Sequence, residues 1–350
     1  MRSCRHSIVS ILSALLLVAP SLAARGAQSA GKRQADSNAA GRANSNLTQQ
    51  KAKRQSNTDS ARAKAKPQPK PRQGSSAGAA IFVVTQDRSG SYVEPLVGVI
   101  EGRYIEPPSG ASENFEQFAG RYYRAGQKYR LLFGGGEVGT ATLKEWAGKA
   151  SDCGRSRASV ELETAARIGG LVMGVATNSD SLGRKPPSRR FPAAKERSAV
   201  SEMALKIFRQ KGVPAASLQG MKTINMTAVD LNGDGKMEMV ASFTARTGGR
   251  GEAVHHLFLI AQPDGDGFDV GLMRYARTAG RDLPQGASLD DVDEAMLTEV
   301  LVDQLDLDND RLGEVITMTK GFEGATYKIY KMQKGQWATI YEFYSYRCAY

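Results

Sequence analysis

The sequence predicts a mainly β protein of the α+β class, built from antiparallel sheets with one or two helices. Three observations point there. Short runs rich in Val, Ile, Tyr and Phe recur between clusters of Gly, Pro, Asp and Asn; a single stretch carries a sustained helical period; and no regular alternation of strand and helix is visible.

The elements follow in order. IFVVT (81–85), YVEPLVGVIEGRYI (92–105), KYRLLF (128–133), ASVEL (158–162) and LVMGVAT (171–177) read as strands with Gly-rich punctuation. A loop rich in Arg and Pro, GRKPPSRRFP (183–192), closes this half. From Ala193 to Lys211, the residues Val200, Met203, Ala204, Ile207 and Phe208 recur at helical spacing, and Gly212 and Pro214 end the helix. Strands then resume: TINMTAV (223–229), MEMVASFTA (237–245), VHHLFLIA (254–261), FDVGLMRYA (268–276), VLVDQL (300–305), EVITMT (314–319), ATYKIYKM (325–332) and QWATIYEFYSY (336–346). A short helix is expected near Leu289 to Thr298. The result is a β-rich domain over 80–190 and a second over 191–350.

The segments before these strands have a different chemistry. Met1 to Ser7 is basic, and Ile8 to Ala19 is an apolar run closed by Pro20 and small residues, too short to cross about 30 Å of hydrocarbon. Residues 1–23 are therefore expected to be a secretory signal peptide cleaved after Ala23. The exported product would be periplasmic or secreted, with no transmembrane segment in the mature chain. Residues 24–79 are dominated by Ala, Ser, Gln, Asn, Gly, Lys and Arg, carry twelve basic residues against Asp36 and Asp59, and end in KPQPKPR. Such a stretch cannot bury enough apolar surface to offset its ordering entropy, so it is expected to be a disordered basic linker. Of the net charge of +11, ten units lie in this linker and two in the leader, which leaves the rest near neutral. A folded basic DNA-binding face is thereby disfavoured, whereas weak contact of the linker with an anionic envelope polymer is not. Aromatics interleaved with the charges are missing from the linker, which weighs further against nucleic acid.

Cys4 would leave with the leader. Cys153 and Cys348 remain, and two cysteines in an exported chain are most simply read as one disulfide, here closing a loop of roughly 200 residues and worth on the order of 5 kcal/mol in the chain-entropy model. A catalytic thiol is the alternative, without residue context to support it.

The most specific local signal is Asp230-Leu231-Asn232-Gly233-Asp234-Gly235-Lys236-Met237-Glu238, with oxygen side chains at positions 1, 3, 5 and 9. A tight turn that aims alternate side chains inward can supply the six to eight hard oxygens, at about 2.3–2.6 Å, that calcium requires. An EF-hand would need Glu at position 12, where Ala241 stands, and helices on both sides. A second copy lies 76 residues on, Asp306-Leu307-Asp308-Asn309-Asp310-Arg311-Leu312-Gly313-Glu314, and each copy is followed by a strand. This D-x-N-G-D-G-x-x-E pattern set between strands resembles the FG-GAP and VCBS repeat proteins, whose loops also occur in integrin-type β-propellers. The resemblance covers the two loops. It implies propeller-blade-like hairpins in the C-terminal half and a structural Ca2+ held by Asp230, Asn232, Asp234, the Lys236 carbonyl and Glu238. A second ion would be held by Asp306, Asp308, Asp310, the Leu312 carbonyl and Glu314. Arg311 stands where the turn favours Gly; a left-handed backbone there would cost about 1–2 kcal/mol. Asp264-Gly265-Asp266-Gly267 has Phe268 at position 5 and reads as an ordinary hairpin turn.

Other motifs carry less. Gly134-x-Gly136-x-x-Gly139 lacks a parallel strand–helix–strand unit around it and reads as a Gly-rich hairpin. Gly74-x-Ser76-x-Gly78 lies in the linker, away from any strand–helix elbow. His255 and His256 are adjacent on a strand and point to opposite faces. Sequence alone supplies no geometry for a base at either histidine, or for a Glu294–Glu299 carboxylate pair. No arrangement of nucleophile and base is recognisable, which favours a non-enzymatic, calcium-stabilised binding protein of the cell envelope or extracellular space that presents loops to a protein or glycan ligand. Two alternatives stay open: a periplasmic or secreted hydrolase, and a structural envelope component.

Overall fold

The structure, a computed structural model, describes residues 78–148, 153–249, 252–292 and 295–347. The expected leader, nearly all of the basic linker, Glu294 and Cys348 lie outside the described residues. Mostly antiparallel β structure is observed, as expected, with three α-helices among the described residues, the third a single turn.

The first half is a closed barrel. Strands β1 (Ala79–Asp87), β2 (Gly90–Ile100), β4 (Lys128–Phe133), β5 (Gly136–Glu145), β6 (Ala158–Thr164) and β7 (Gly174–Thr177) pair in the order β1-β7-β4-β5-β6-β2, and an antiparallel β1–β2 pairing closes the ring. Closure leaves no free edge among these six strands. The short β3 (Arg103–Ile105) folds back on β2 through Glu101 and Gly102, whose φ values of 51° and 73° break the single strand expected over 92–105.

Why β1 reads as an unbroken apolar run follows from its two buried faces. Phe82 and Val84 point into the barrel with Val93, Tyr129, Leu131 and Val160. Ile81 and Val83 point outward and join a second core with Val300, Val302, Ile316, Tyr327, Ile329 and Phe343 from the far end of the chain. Burial of each such side chain contributes about 1.5–3 kcal/mol. Helix α1 (Phe115–Tyr122) covers the barrel mouth with Phe115 and Ala119, and the Phe118 ring packs 6.2 Å from that of Phe82.

The second half consists of two four-stranded meanders. Helix α2 (Ala194–Gln210) starts where Glu196 accepts a hydrogen bond from the Ala193 N–H at 2.6 Å. A single turn, α3 (Ala215–Leu218), follows it. Strands β8 (Lys222–Val229), β9 (Glu238–Thr247), β10 (Ala253–Asp264) and β11 (Gly267–Ala279) form one sheet, against which α2 packs Val200, Ala204, Ile207 and Phe208. Strands β12 (Glu299–Leu305), β13 (Glu314–Lys320), β14 (Gly324–Gln333) and β15 (Gln336–Tyr346) form the other. The two sheets meet through Val240, Phe258 and Ile260 on one side and Leu301, Val315 and Tyr330 on the other. In place of the helix expected near Leu289 to Thr298, the described residues form turns and bends. Leu297 adopts a left-handed φ of 60° and donates its N–H to the Lys320 carbonyl at 2.8 Å, a geometry a helix cannot contain. Among the described residues no helix is long and apolar enough to cross a membrane.

Two buried ion pairs join the barrel and the C-terminal sheet. Glu94 of β2 is 3% exposed and accepts hydrogen bonds from Arg347 Nη2 at 2.5 Å, Ser345 Oγ at 2.6 Å, and Tyr327 Oη and Ser156 Oγ at 2.8 Å. Asp303 of β12 accepts the Gly134 N–H at 2.9 and 3.0 Å, while Arg189 lies 3.7 Å away and donates to the Val302 carbonyl at 2.9 Å. Its guanidinium also covers the Phe133 ring at 4.6 Å.

Removing Arg347 leaves Glu94 charged and unpaired inside the fold, so Arg347→Ala is expected to destabilise the full chain by about 3–5 kcal/mol in urea titrations. Burial pushes the Glu94 carboxyl up, but Arg347 and the hydroxyl donors outweigh it and hold the pKa at about 2, below the ordinary 4.5. The stabilisation is therefore full above pH 4.5 and is lost as pH falls from 4.5 towards 2. In Arg347→Ala that acid-sensitive window should move upward; an unchanged pH profile would refute the assignment.

Candidate metal centres

Both Asp-rich segments connect the first and second strands of a meander. Residues 230–237 join β8 to β9, and residues 306–313 join β12 to β13. Each connection is closed by its own acidic side chains. Asp230 Oδ2 accepts the Gly235 N–H at 3.0 Å, and Asp306 Oδ2 accepts the Arg311 N–H at 3.0 Å. Asp234 Oδ1 accepts the Lys236 N–H at 2.8 Å, and Asp310 Oδ1 accepts the Leu312 N–H at 2.9 Å. Glu238 Oε2 accepts the Leu231 N–H at 2.8 Å, and Glu314 Oε2 accepts the Leu307 N–H at 2.7 Å. Three bonds thus recur at the same positions, 76 residues apart. Spacing by two turns alternate side chains to one side, and a backbone curled around carboxylate acceptors makes the turn compact.

The backbone conformations recur as well. Gly233 and Gly235 have φ of 76° and 81°, and their counterparts Asn309 and Arg311 have φ of 63° and 78°. The turn therefore does require a left-handed backbone where Arg311 stands; Asn309 meets the same demand more easily, because its short polar side chain tolerates it. The two loops touch each other through a hydrogen bond from the Gly313 N–H to the Leu231 carbonyl at 2.7 Å. The Arg/Pro-rich loop crosses beside them, where Lys185 Nζ donates to the Arg311 carbonyl at 2.8 Å. A cleft of about 630 Å³ opens between these three segments, with Asp230, Asp306, Lys185 and Gln304 on its walls.

The interiors of the loops differ. In the first, Asn232 Nδ2 donates to Asp234 Oδ2 at 3.3 Å, Asp230 Oδ1 accepts the Gly233 N–H at 2.7 Å, and Glu238 lies beneath, 2% exposed. Burial, together with the charges of Asp234 and Asp230 and against the Leu231 hydrogen bond, raises the Glu238 pKa above its ordinary value. In the second, one oxygen each of Asp306, Asp308 and Glu314 lies within 4.8 Å of the others, and Asp306 Oδ1 is buried without a hydrogen-bond partner. Lys331 of β14 reaches into this group. Burial raises the Glu314 pKa against the pull of Lys331, and the same lysine holds Asp310 below the ordinary range despite burial.

Counter-charge separates the two loops. Four acids are buried among the described residues: Glu94, Glu238, Asp303 and Glu314. Glu94 has Arg347, Asp303 has Arg189 and Glu314 has Lys331. Glu238 forms no ion pair with a described residue, and its neighbours within the loop are two further carboxylates. A buried acid in that setting needs a proton or a cation from outside the chain. The residue types along this loop, Asp230, Asn232, Asp234 and Glu238, are the hard-oxygen chemistry of a group-2 cation, although among the described residues the acidic oxygens found within 4.8 Å of one another are those of Asp306, Asp308 and Glu314 in the second loop.

Other candidates resolve differently. His255 Nδ1 lies 2.7 Å from Tyr275 Oη and His256 Nδ1 lies 2.7 Å from Thr298 Oγ1; burial lowers the His256 pKa to about 4, so it is neutral at pH 7. Glu299 Oε1 accepts from Thr317 Oγ1 at 2.6 Å and Tyr330 Oη at 2.7 Å. Gly134 and Gly135 form the turn between β4 and β5. Cys348 is not among the described residues, but the Gly154 N–H donates to the Arg347 carbonyl at 2.8 Å, which brings the chain neighbours of Cys153 and Cys348 together. A scan against protein-family models and searches of curated proteins and solved structures give no match.

The left-handed positions make the loop backbone testable. No atom stands within 4 Å of where a Gly235 Cβ would lie, so Gly235→Ala reports conformation alone; it should cost about 1 kcal/mol. Arg311→Gly, which relieves the same conformation, should leave stability equal or raised. Chemical denaturation checks both, and a neutral Gly235→Ala would contradict the assigned backbone.

Proposed function

We propose that this chain is an exported, calcium-stabilised β-rich binding protein of the cell envelope or extracellular space. Glu238 carries the reading: a buried carboxylate without a cationic partner among the described residues, at the base of the loop that carries Asp230, Asn232 and Asp234. The position of both loops, each between the first two strands of a four-stranded meander, supports the resemblance to FG-GAP and VCBS repeats. In this reading the ion is a staple. With an affinity of about 10⁻⁴ M and millimolar calcium outside the cell, one site adds on the order of 1.4 kcal/mol, enough to fix a hairpin.

The remaining parts fit that setting. Residues 1–23 direct export, the linker over 24–79 holds the folded part near an anionic envelope polymer, and a Cys153–Cys348 disulfide ties the C-terminus to the barrel. The hydrogen bond from Gly154 to Arg347 supports that pairing. The ligand is a protein or a glycan met by the loops.

Calorimetric titration of the full chain with calcium chloride tests the central point. Uptake near 10⁻⁴ M is expected, weakened at least tenfold by Asp230→Ala or Asp234→Ala. Heats no larger than those of dilution would remove the reading.

A further inference from the structure

The two matched loops differ in charge at two interior places: position 3 is Asn232 in the first and Asp308 in the second, and only the second is met by a lysine, Lys331. Its Nζ lies 2.6 Å from Asp308 Oδ2, 2.7 Å from Asp310 Oδ2 and 2.7 Å from Glu314 Oε1, and its side chain is 13% exposed. These carboxylates hold positions 3, 5 and 9 of the loop, so all three ammonium protons are directed at groups that would otherwise ligate a metal. The lysine reaches them from the third strand of its sheet, one step beyond the Val315–Tyr330 pair. In the first sheet the same step beyond the Met239–Ala261 pair is Gln262, which brings no charge. The Glu-to-backbone bond and the left-handed backbone positions are shared, so the added Asp308 charge comes together with the lysine that meets it.

We propose that the Lys331 ammonium is the built-in cation of the second loop, so that the chain takes up one calcium ion, at the first loop, while the second hairpin is held without metal. The single-ion count rests on the calcium reading of the first loop; the occupancy of the second by lysine does not. To enter the second loop a calcium ion would have to expel a tethered ammonium with three short charge-assisted contacts. An uncharged side chain at 331 would leave oxygens of Asp306, Asp308 and Glu314 within 4.8 Å of one another, with Asp306 Oδ1 buried and without a hydrogen-bond partner, and a divalent cation could then be shared between the three carboxylates.

Native mass spectrometry and equilibrium dialysis of the full chain with calcium chloride decide this. The expected counts are one ion for the natural chain, two for Lys331→Gln, none for Asp230→Ala and one for the Asp230→Ala/Lys331→Gln double variant. Lys331→Arg, which keeps the charge, should match the natural chain. Two ions in the natural chain, or no gain on Lys331→Gln, would overturn the proposal. A natural chain that binds none while Lys331→Gln binds one would leave the lysine assignment standing and refute the first-loop reading. A measurement without variants guards against misfolding. On calcium addition the amide resonances of Gly233 and Gly235 should move and those of Arg311 and Leu312 should not; calcium-dependent shifts at the latter pair would equally overturn the proposal.

Discussion

A carboxylate withdrawn from water must be neutralised, and that requirement organises this molecule. Among the described residues its strands bring four acids inside, and each sits where two parts of the fold meet: Glu94 and Asp303 between barrel and C-terminal sheet, Glu238 and Glu314 at the base of the paired loops. Their alignment with basic residues is long-range. Arg347 reaches across the molecule to Glu94, and Arg189 enters from the loop between the two halves to meet Asp303. Well-packed apolar residues could replace such pairs at little cost in stability, but each half-made pair is severely penalised, which discriminates against misdocked sheets.

Hydrophobic packing supplies the mass of the stabilisation, and its layout explains the position of the loops. β1 is the partition between two cores, with alternate residues committed to the barrel interior and to the C-terminal sheet. The two meanders in turn share a core around Phe258, Ile260, Val315 and Tyr330. That seam holds the β8–β9 and β12–β13 connections side by side and permits the hydrogen bond from Gly313 to Leu231. The loops are thus rigidly mounted on sheet ends, and their backbones are fixed by their own side chains even before any ion is considered.

What could be read from the sequence was what is local. KYRLLF and QWATIYEFYSY coincide with β4 and β15, and the helix expected from Ala193 to Lys211 differs from α2 by one residue at each end. The carboxylates at alternate positions of each loop were visible because a tight turn needs only neighbours. β5 escaped notice because GEVGTATLKE carries little apolar periodicity; its burial comes from closing a ring, which depends on partners far away in sequence. Helix α1 escaped because eight residues with a central Gly120 give little helical signal, and its packing comes from aromatic contacts with Phe82. Among the described residues no helix forms near Leu289 to Thr298, where Leu289 and Met296 are buried as single anchors in an irregular segment. Lys331, Arg189 and Arg347 gave no signal at all, since a lysine or arginine looks the same in a solvated strand as beside a buried acid.

The span from Glu94 to Arg347 has a consequence for synthesis. The acid emerges early, in the second strand, and its cation is made more than two hundred residues later. Until β15 and Arg347 have docked, the barrel wall holds an unbalanced negative charge and an uncovered apolar flank at Ile81 and Val83. A barrel without β15 and Arg347 therefore keeps an unpaired buried acid and an apolar flank, features that proteases and chaperones recognise.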